Sequence, residues 1–398
     1  IQPMLQTQWT QADPFNLFCP TENESGESDE RCVVGCVATA MAQLMYYHRW
    51  PQRPSGYIKY YDRKQSVYRE FDFDECPDFD WDNMLAYYPY ASGTEAQRHA
   101  VANLSVCAGY ACKMAYSRSE STAFLKDAAI GLRDFLGYDA NMHRHIRALT
   151  PYDEWVKILV DELQAGCPVL YEGFNNKAGH AFLCDGYDGD GLFHFNWGWG
   201  GISNGYYQIS ALEPQDLGIG SGMGAYNHYQ AILIGIQPPN ESSTHLARVQ
   251  LNGTFNMQET ETAREGTNKA TIGFFNYGLQ SFTGEVILGL YKDETLLTVL
   301  SSTAVTKLSP LGGGTKGFTF DEFSIPSSIE NGTYRLLVAQ KENGVSNYTI
   351  MLTPVNYPNY HIVEVTDNKV SYVKPEFEPL LSMVKKPEII STKLYKGR

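Results

Sequence analysis

The residues able to do chemistry fall in three short segments. Cys36, in Gly35-Cys36-Val37-Ala38-Thr39-Ala40, stands at the first turn of an expected helix. Free backbone N–H groups and the helix dipole there favour a thiolate over a thiol. His180, in Ala178-Gly179-His180-Ala181-Phe182, enters an expected strand behind a glycine that permits close backbone approach. Asn196 lies beside Trp197 in Phe195-Asn196-Trp197-Gly198-Trp199-Gly200-Gly201. A thiol nucleophile needs a base for its proton, and an imidazole needs an orienting carbonyl to set its tautomer. The Asn196 amide can supply that carbonyl, and an adjacent indole can shield the bond from water. Gln11 adds a side-chain amide that, with the Cys36 backbone N–H, can form an oxyanion hole.

The elements that must position these groups are legible in part. Residues 37–47 are good helix formers stopped by Trp50-Pro51, and 95–108, 122–136 and 152–165 carry apolar residues at helical spacing. Segments 169–171, 180–184 and 192–197 read as strands. Helices first and an antiparallel sheet afterwards is an α+β order. The character changes at Pro238-Pro239-Asn240. Beyond it, short alternating runs (247–251, 270–275, 285–291, 333–339, 348–352) predict an all-β, Ig-like sandwich over 240–365, and 366–398 reads as a tail or linker.

Composition bounds the function classes. The chain has 398 residues, 13% aromatic and 43% hydrophobic, with a net charge of −14. Bulk disorder and non-specific nucleic-acid binding are excluded, and no apolar run is long enough to predict a transmembrane segment. The start at Ile1 rather than Met points to a processed form or an excised fragment. Eight cysteines without a C-x-x-C pattern predict neither a disulfide scaffold nor a zinc site. Cys107, Cys112, Cys167 and Cys184 read as reduced packing residues, and the pairing of Cys19 with Cys32 is left open. His143 and His145 read as part of a solvated face, His48 as a helix cap and His194 as structural. Asp185, Asp188 and Asp190 read as a turn, because the Glu that closes a calcium loop is absent. No cofactor or metal is expected.

His180 follows Cys36 by 144 residues, within the roughly 130–150-residue interval of papain-type enzymes, and Asn196 comes 16 residues later. The segments taken together resemble the streptopain-like cysteine peptidases (peptidase family C10), a branch of the papain-like group. The resemblance runs in order through Trp9-Thr10-Gln11, Pro14-Phe15-Asn16, 35–43 and Tyr47-His48-Arg49-Trp50-Pro51. It continues through Gly179-His180-Ala181-Phe182, Asp185-Gly186, 194–201, 203–207 and the glycine-bearing 218–224. It implies a papain-like catalytic domain over 1–238, with Cys36 as nucleophile, His180 as base and acid, and Gln11 as oxyanion donor. Asn196 and Trp197 would support His180, and 218–224 would border the cleft. It further implies a secreted or cell-surface bacterial endopeptidase made as a zymogen, with an inhibitory propeptide, protein and peptide substrates and a hydrophobic P2 preference. Bacteroidete-type members carry Ig-like domains, which would give this chain a surface partner. A peptide-binding protein and a thiol acyl-transfer enzyme are the competing classes; intact Cys36, His180, Asn196 and Gln11 argue against the first, and the motifs around Trp197 against the second.

Overall fold

The computed structural model describes residues 1–22, 30–240, 248–293, 295–311, 316–353 and 358–376. The chain forms two compact units. The first comprises Ile1–Arg248 together with Asn276–Ser281 and Ser309–Gly312; the second comprises Val249–Phe275, Phe282–Leu308 and Gly313–Arg398.

In the first unit, helix α1 (Cys36–His48) is buried over every residue from Val37 to Met45. Its run of Ala, Met, Leu and Val has no polar stripe to turn toward water, so the helix lies inside the unit. It stops where Arg49 adopts the left-handed conformation (φ 48°) and its N–H returns to the carbonyls of Met45 and Tyr46. A hairpin of β1 (Tyr57–Asp62) and β2 (Val67–Asp72) follows. Next come α2 (Glu95–Ala111), opened by a Thr94/Gln97 capping box, and α3 (Leu125–Asp134). Then come β3 (His143–Ile146) and α4 (Tyr152–Gln164), whose Trp155, Leu159 and Leu163 recur every four residues on one buried face.

Five strands complete the unit: β4 (Val169–Phe174), β5 (Gly179–Tyr187), β6 (Phe193–Asn196), β7 (Gly205–Tyr207) and β8 (His228–Ile234). With β3 they form a six-stranded antiparallel sheet in the order β3-β8-β4-β5-β6-β7. Alternation along β5 divides the interior. Ala181 and Leu183 join the core around α1, whereas Phe182 and Cys184 join the core containing Trp155 of α4.

The β1–β2 hairpin is locked by a buried ion pair. Arg69 Nε donates to Asp62 Oδ2 at 2.6 Å, and Asp62 is wholly buried. The same carboxylate accepts the Tyr116 and Lys64 backbone N–H groups at 3.1 and 3.0 Å. Arg69→Met removes the cation and leaves the buried carboxylate uncompensated, an expected cost of about 3–5 kcal/mol. Urea unfolding of the variant beside wild type measures it; an unchanged midpoint would show that the pair is energetically silent.

The second unit is all β, built from β9 (Val249–Met257), β10 (Glu261–Ala263), β11 (Asn268–Asn276), β12 (Phe282–Lys292), β13 (Thr295–Leu308), β14 (Lys316–Phe323), β15 (Gly332–Glu342), β16 (Thr349–Ile350), β17 (Tyr360–Val365) and β18 (Lys369–Val373). One sheet has the order β10-β18-β17-β15-β12-β13, with β16 paired to β15; the other has the order β14-β11-β9. Aromatic contacts cross between the sheets, Phe255 with His361 at 4.6 Å and Phe323 with Tyr372 at 6.2 Å.

Two expectations are corrected here. Residues 369–373, assigned to a tail, are β18: Val370 and Tyr372 are buried, and the strand pairs with β17 and β10. Its alternation is short and lies past a turn, which hides it from pattern reading. The remainder of that tail from 377 onward, and Ala247 at the start of the first expected strand, lie outside the described residues. His143 and His145 do not line a solvated face. They sit half-buried on β3, paired to β8, and burial lowers their pKa values to about 4 and about 3. Among the described residues, no helix is long and apolar enough to cross a membrane.

Candidate active site

Cys36 is the first residue of α1, and a glycine must precede it. Gly35 has φ 90°, and a Cβ there would lie 2.6 Å from the Met114 thioether and 3.1 Å from the Ser121 carbonyl. Of the eight cysteines, Cys36 alone keeps partial exposure; the other seven are buried. The backbone N–H groups of Ala181 and Val37 lie where they favour the thiolate form of Cys36. The expected helix-terminal donors are therefore present, but they do not prevail. Burial pushes the Cys36 thiol above its usual range, the two N–H groups pull it down, and the Glu120 carboxylate adds to the rise.

His180 lies at the start of β5, next to Ala181. Its Nε2 donates to the Trp197 carbonyl at 2.8 Å, and its buried Nδ1 has no partner among the described residues. Since a carbonyl only accepts, the proton belongs on Nε2, which leaves Nδ1 as the basic nitrogen. The imidazole is packed in aromatic rings, stacked on Trp199 at 4.5 Å with Phe182 and Tyr226 each at 5.7 Å. No hydrogen bond joins Nδ1 to the Cys36 thiol. Such contacts are commonly loose in ligand-free enzymes and tighten when substrate binds.

The orienting carbonyl is not that of Asn196. Its Nδ2 donates to the Thr7 carbonyl at 2.8 Å, and its Oδ1 accepts from Gly198 N at 3.0 Å and Gln43 Nε2 at 3.4 Å. Neighbouring strand residues face opposite ways, so Asn196 points toward α1 while Phe195 and Trp197 share the α4 side with His180. Asn196 thus holds the turn from which the Trp197 main-chain oxygen reaches His180. Gln43 is a residue that sequence reasoning missed. The signal was a lone amide within an otherwise apolar buried helix, and it binds both Asn196 and the Thr7 hydroxyl, the latter at 2.7 Å.

Gln11 is buried beside the chain entering α1, its carbonyl accepting from Val34 N at 3.0 Å. One N–H of its amide donates to the Ile219 carbonyl at 3.0 Å. Ile219 belongs to the glycine-bearing 218–224 loop, where a Cβ on Gly218 would fall 2.2 Å from the Trp199 ring. That loop therefore packs onto the indole covering His180. Elsewhere, His48 Nδ1 meets the Tyr138 hydroxyl at 3.1 Å, and His194 Nδ1 meets the buried Asp185 carboxylate at 2.6 Å. Asp188 Oδ1 closes its turn by accepting from the Asp190 and Leu192 N–H groups.

The Peptidase C10 family pattern matches residues 9–207, half of the chain, and spans Gln11, Cys36, His180, Asn196 and Trp197. The chain belongs to the peptidase C10 family. Among its relatives, the thiol protease/hemagglutinin PrtT of Porphyromonas gingivalis is 34% identical over 235 residues, 59% of this chain and 26% of that protein. Streptopain of Streptococcus pyogenes is 32% identical over 245 residues, 58% of this chain and 60% of streptopain. The chain thus spans about a quarter of the first of these two proteins and three-fifths of the second. Active wild-type interpain A cysteine protease of Prevotella intermedia superposes with a TM-score of 0.52 at 32% identity, covering 60% of this chain and 95% of that one. A prointerpain A fragment gives 0.51 at the same identity, covering 60% and 73%.

Burial lowers the His180 pKa from its ordinary 6.5 to about 4, partly offset by the Trp197 carbonyl. His48 is likewise lowered to about 4 by burial. Below about pH 6.5 the unfolded chain takes up protons that the folded C10 unit refuses until about pH 4. Stability is therefore full above 6.5 and falls as the pH drops toward 4; His180 alone contributes on the order of 1–2 kcal/mol of loss by pH 5. Urea midpoints at pH 7 and pH 5 test this, and a His180→Gln variant should show the smaller drop.

Proposed function

We propose that this chain is a cysteine endopeptidase that hydrolyses peptide bonds through a thioester on Cys36. The observation that carries the reading is the partly exposed Cys36 at a helix N-terminus, near the Ala181 N–H, which directly follows a His180 whose Nδ1 has no partner among the described residues.

In the proposed cycle the Cys36 thiol passes its proton to His180 Nδ1 as sulfur attacks the substrate carbonyl. Burial disfavours each charge singly, so thiolate and imidazolium form together as a pair. The oxyanion is held by the Cys36 backbone N–H and the remaining N–H of the Gln11 amide. The imidazolium returns the proton to the departing amine, with Nε2–H anchored on the Trp197 carbonyl throughout. Water, deprotonated by Nδ1, then releases the acid product and restores the thiol.

Family membership supports further parts of the proposal. Production as a secreted zymogen held by a propeptide accords with the prointerpain A relative. The hydrophobic P2 preference rests on the family resemblance. The two-sheet second unit is proposed as an Ig-like sandwich that meets a surface partner, supported by the aromatic contacts between its sheets. The deciding experiment is titration with the epoxide thiol inhibitor E-64, read by intact mass and peptide mapping, beside casein cleavage in reductant. One adduct on Cys36 with loss of cleavage is expected. Folded protein without adduct or cleavage would withdraw the mechanism in favour of a binding protein, and isopeptide-linked products would indicate acyl transfer.

A further inference from the structure

Beside the proposed nucleophile lies an acidic side chain that the mechanism does not use. Residues 117–121 pack directly on the chain entering Cys36. Val33 N donates to the Ser117 carbonyl at 3.0 Å, Ser121 Oγ donates to the Val33 carbonyl at 2.6 Å, and the Ser121 carbonyl abuts Gly35. This places Glu120 on the wall facing the 218–224 loop, where a Cβ on Gly220 would lie 3.5 Å from Glu120 Cγ. Its charge is near enough to oppose ionisation of both Cys36 and Tyr226, and Tyr226 packs against His180.

The carboxylate is held rather than consumed. Lys64 bonds the Glu120 backbone carbonyl, and its ammonium stands 3.4 Å from Oε2; no other partner reaches the carboxylate among the described residues. Lys64 is itself fixed by its N–H to the buried Asp62. A carboxylate has about four lone-pair sites, so Oε1 can still accept from a second cation. The Glu120 side chain is 43% exposed, open enough for a ligand to reach.

We propose that Glu120 is a specificity-determining residue that takes the cationic side chain of a substrate lysine or arginine, at a position next to the one filling the hydrophobic subsite. This deepens the peptidase reading and rests on it. The pairing brings opposite charges together in a partly desolvated cleft, where charge-assisted hydrogen bonds exceed those in open water.

The test is a set of fluorogenic peptides that carry arginine at one position at a time from P3 to P2′, each matched by a peptide with neutral citrulline there. At P1 or P3, the positions flanking P2, wild type should favour arginine by about five- to twentyfold in kcat/KM, and more weakly at high salt. Glu120→Gln should bring that ratio close to one, whatever it does to cleavage of the citrulline peptides, and Glu120→Lys should invert it. A ratio near one at both P1 and P3 in wild type, or a preference that survives Glu120→Gln, would overturn the proposal. Citrulline peptides report the peptidase reading separately. If neither set is cleaved and Cys36 takes no adduct, that reading has failed and the specificity claim falls with it.

Discussion

Cys36→Ala should remove peptide hydrolysis, by a factor on the order of 10⁶ in kcat as for loss of other catalytic nucleophiles, while leaving the protein folded. The first half follows from chemistry: without the sulfur no acyl-enzyme forms, and His180 Nδ1 has no proton to collect. The second half follows from the position. Cys36 opens α1, where alanine is a better helix former, and the change deletes one partly exposed atom rather than a core side chain. Casein cleavage, E-64 labelling and thermal midpoint together decide it. Retained labelling in the variant would move the nucleophile elsewhere, and a collapsed midpoint would make the activity loss uninterpretable. Cys184→Ala serves as contrast, since Cys184 is wholly buried in the α4-side core and should leave labelling of Cys36 intact.

Gln11→Ala is expected to lower kcat by about 10²–10³ with the smaller change in KM, the cost of losing one oxyanion donor. The structure adds a complication that can be resolved experimentally. The Gln11 amide also tethers the Ile219 carbonyl at 3.0 Å, so truncation frees the 218–224 loop as well. An oxyanion donor acts in the transition state and shows in kcat; a loop tether acts in substrate binding and shows in KM. Gln11→Glu, nearly isosteric but without the N–H groups, should lose kcat as alanine does. An unchanged kcat with raised KM in both variants would reduce Gln11 to a loop anchor.

The separation between what pattern and spacing revealed and what they concealed follows from the range of the forces. Helix α1 was legible because its formers, its stop and its nucleophile lie within a few turns of chain. Helix α4 was legible because Trp155, Leu159 and Leu163 repeat at helical spacing. β3, β8 and β18 were not anticipated. His143 and His145 look like surface residues until β8 is paired across them, and that pairing joins segments far apart in the chain.

The site divides along the same line. Side-chain identity and order within the chain are properties of the sequence, and they put forward Cys36, His180, Gln11 and the Asn196-Trp197 segment as candidates for thiol chemistry. Main-chain hydrogen bonds, burial and the facing of alternate strand residues exist only once β5 and β6 are paired. Those decided that a Trp197 carbonyl, not the Asn196 amide, orients the imidazole, and that Gln43 stands behind Asn196. They also decided the protonation balance. A helix terminus alone favours a thiolate, but the desolvation that opposes it depends on everything packed around the sulfur, which no local stretch of sequence encodes.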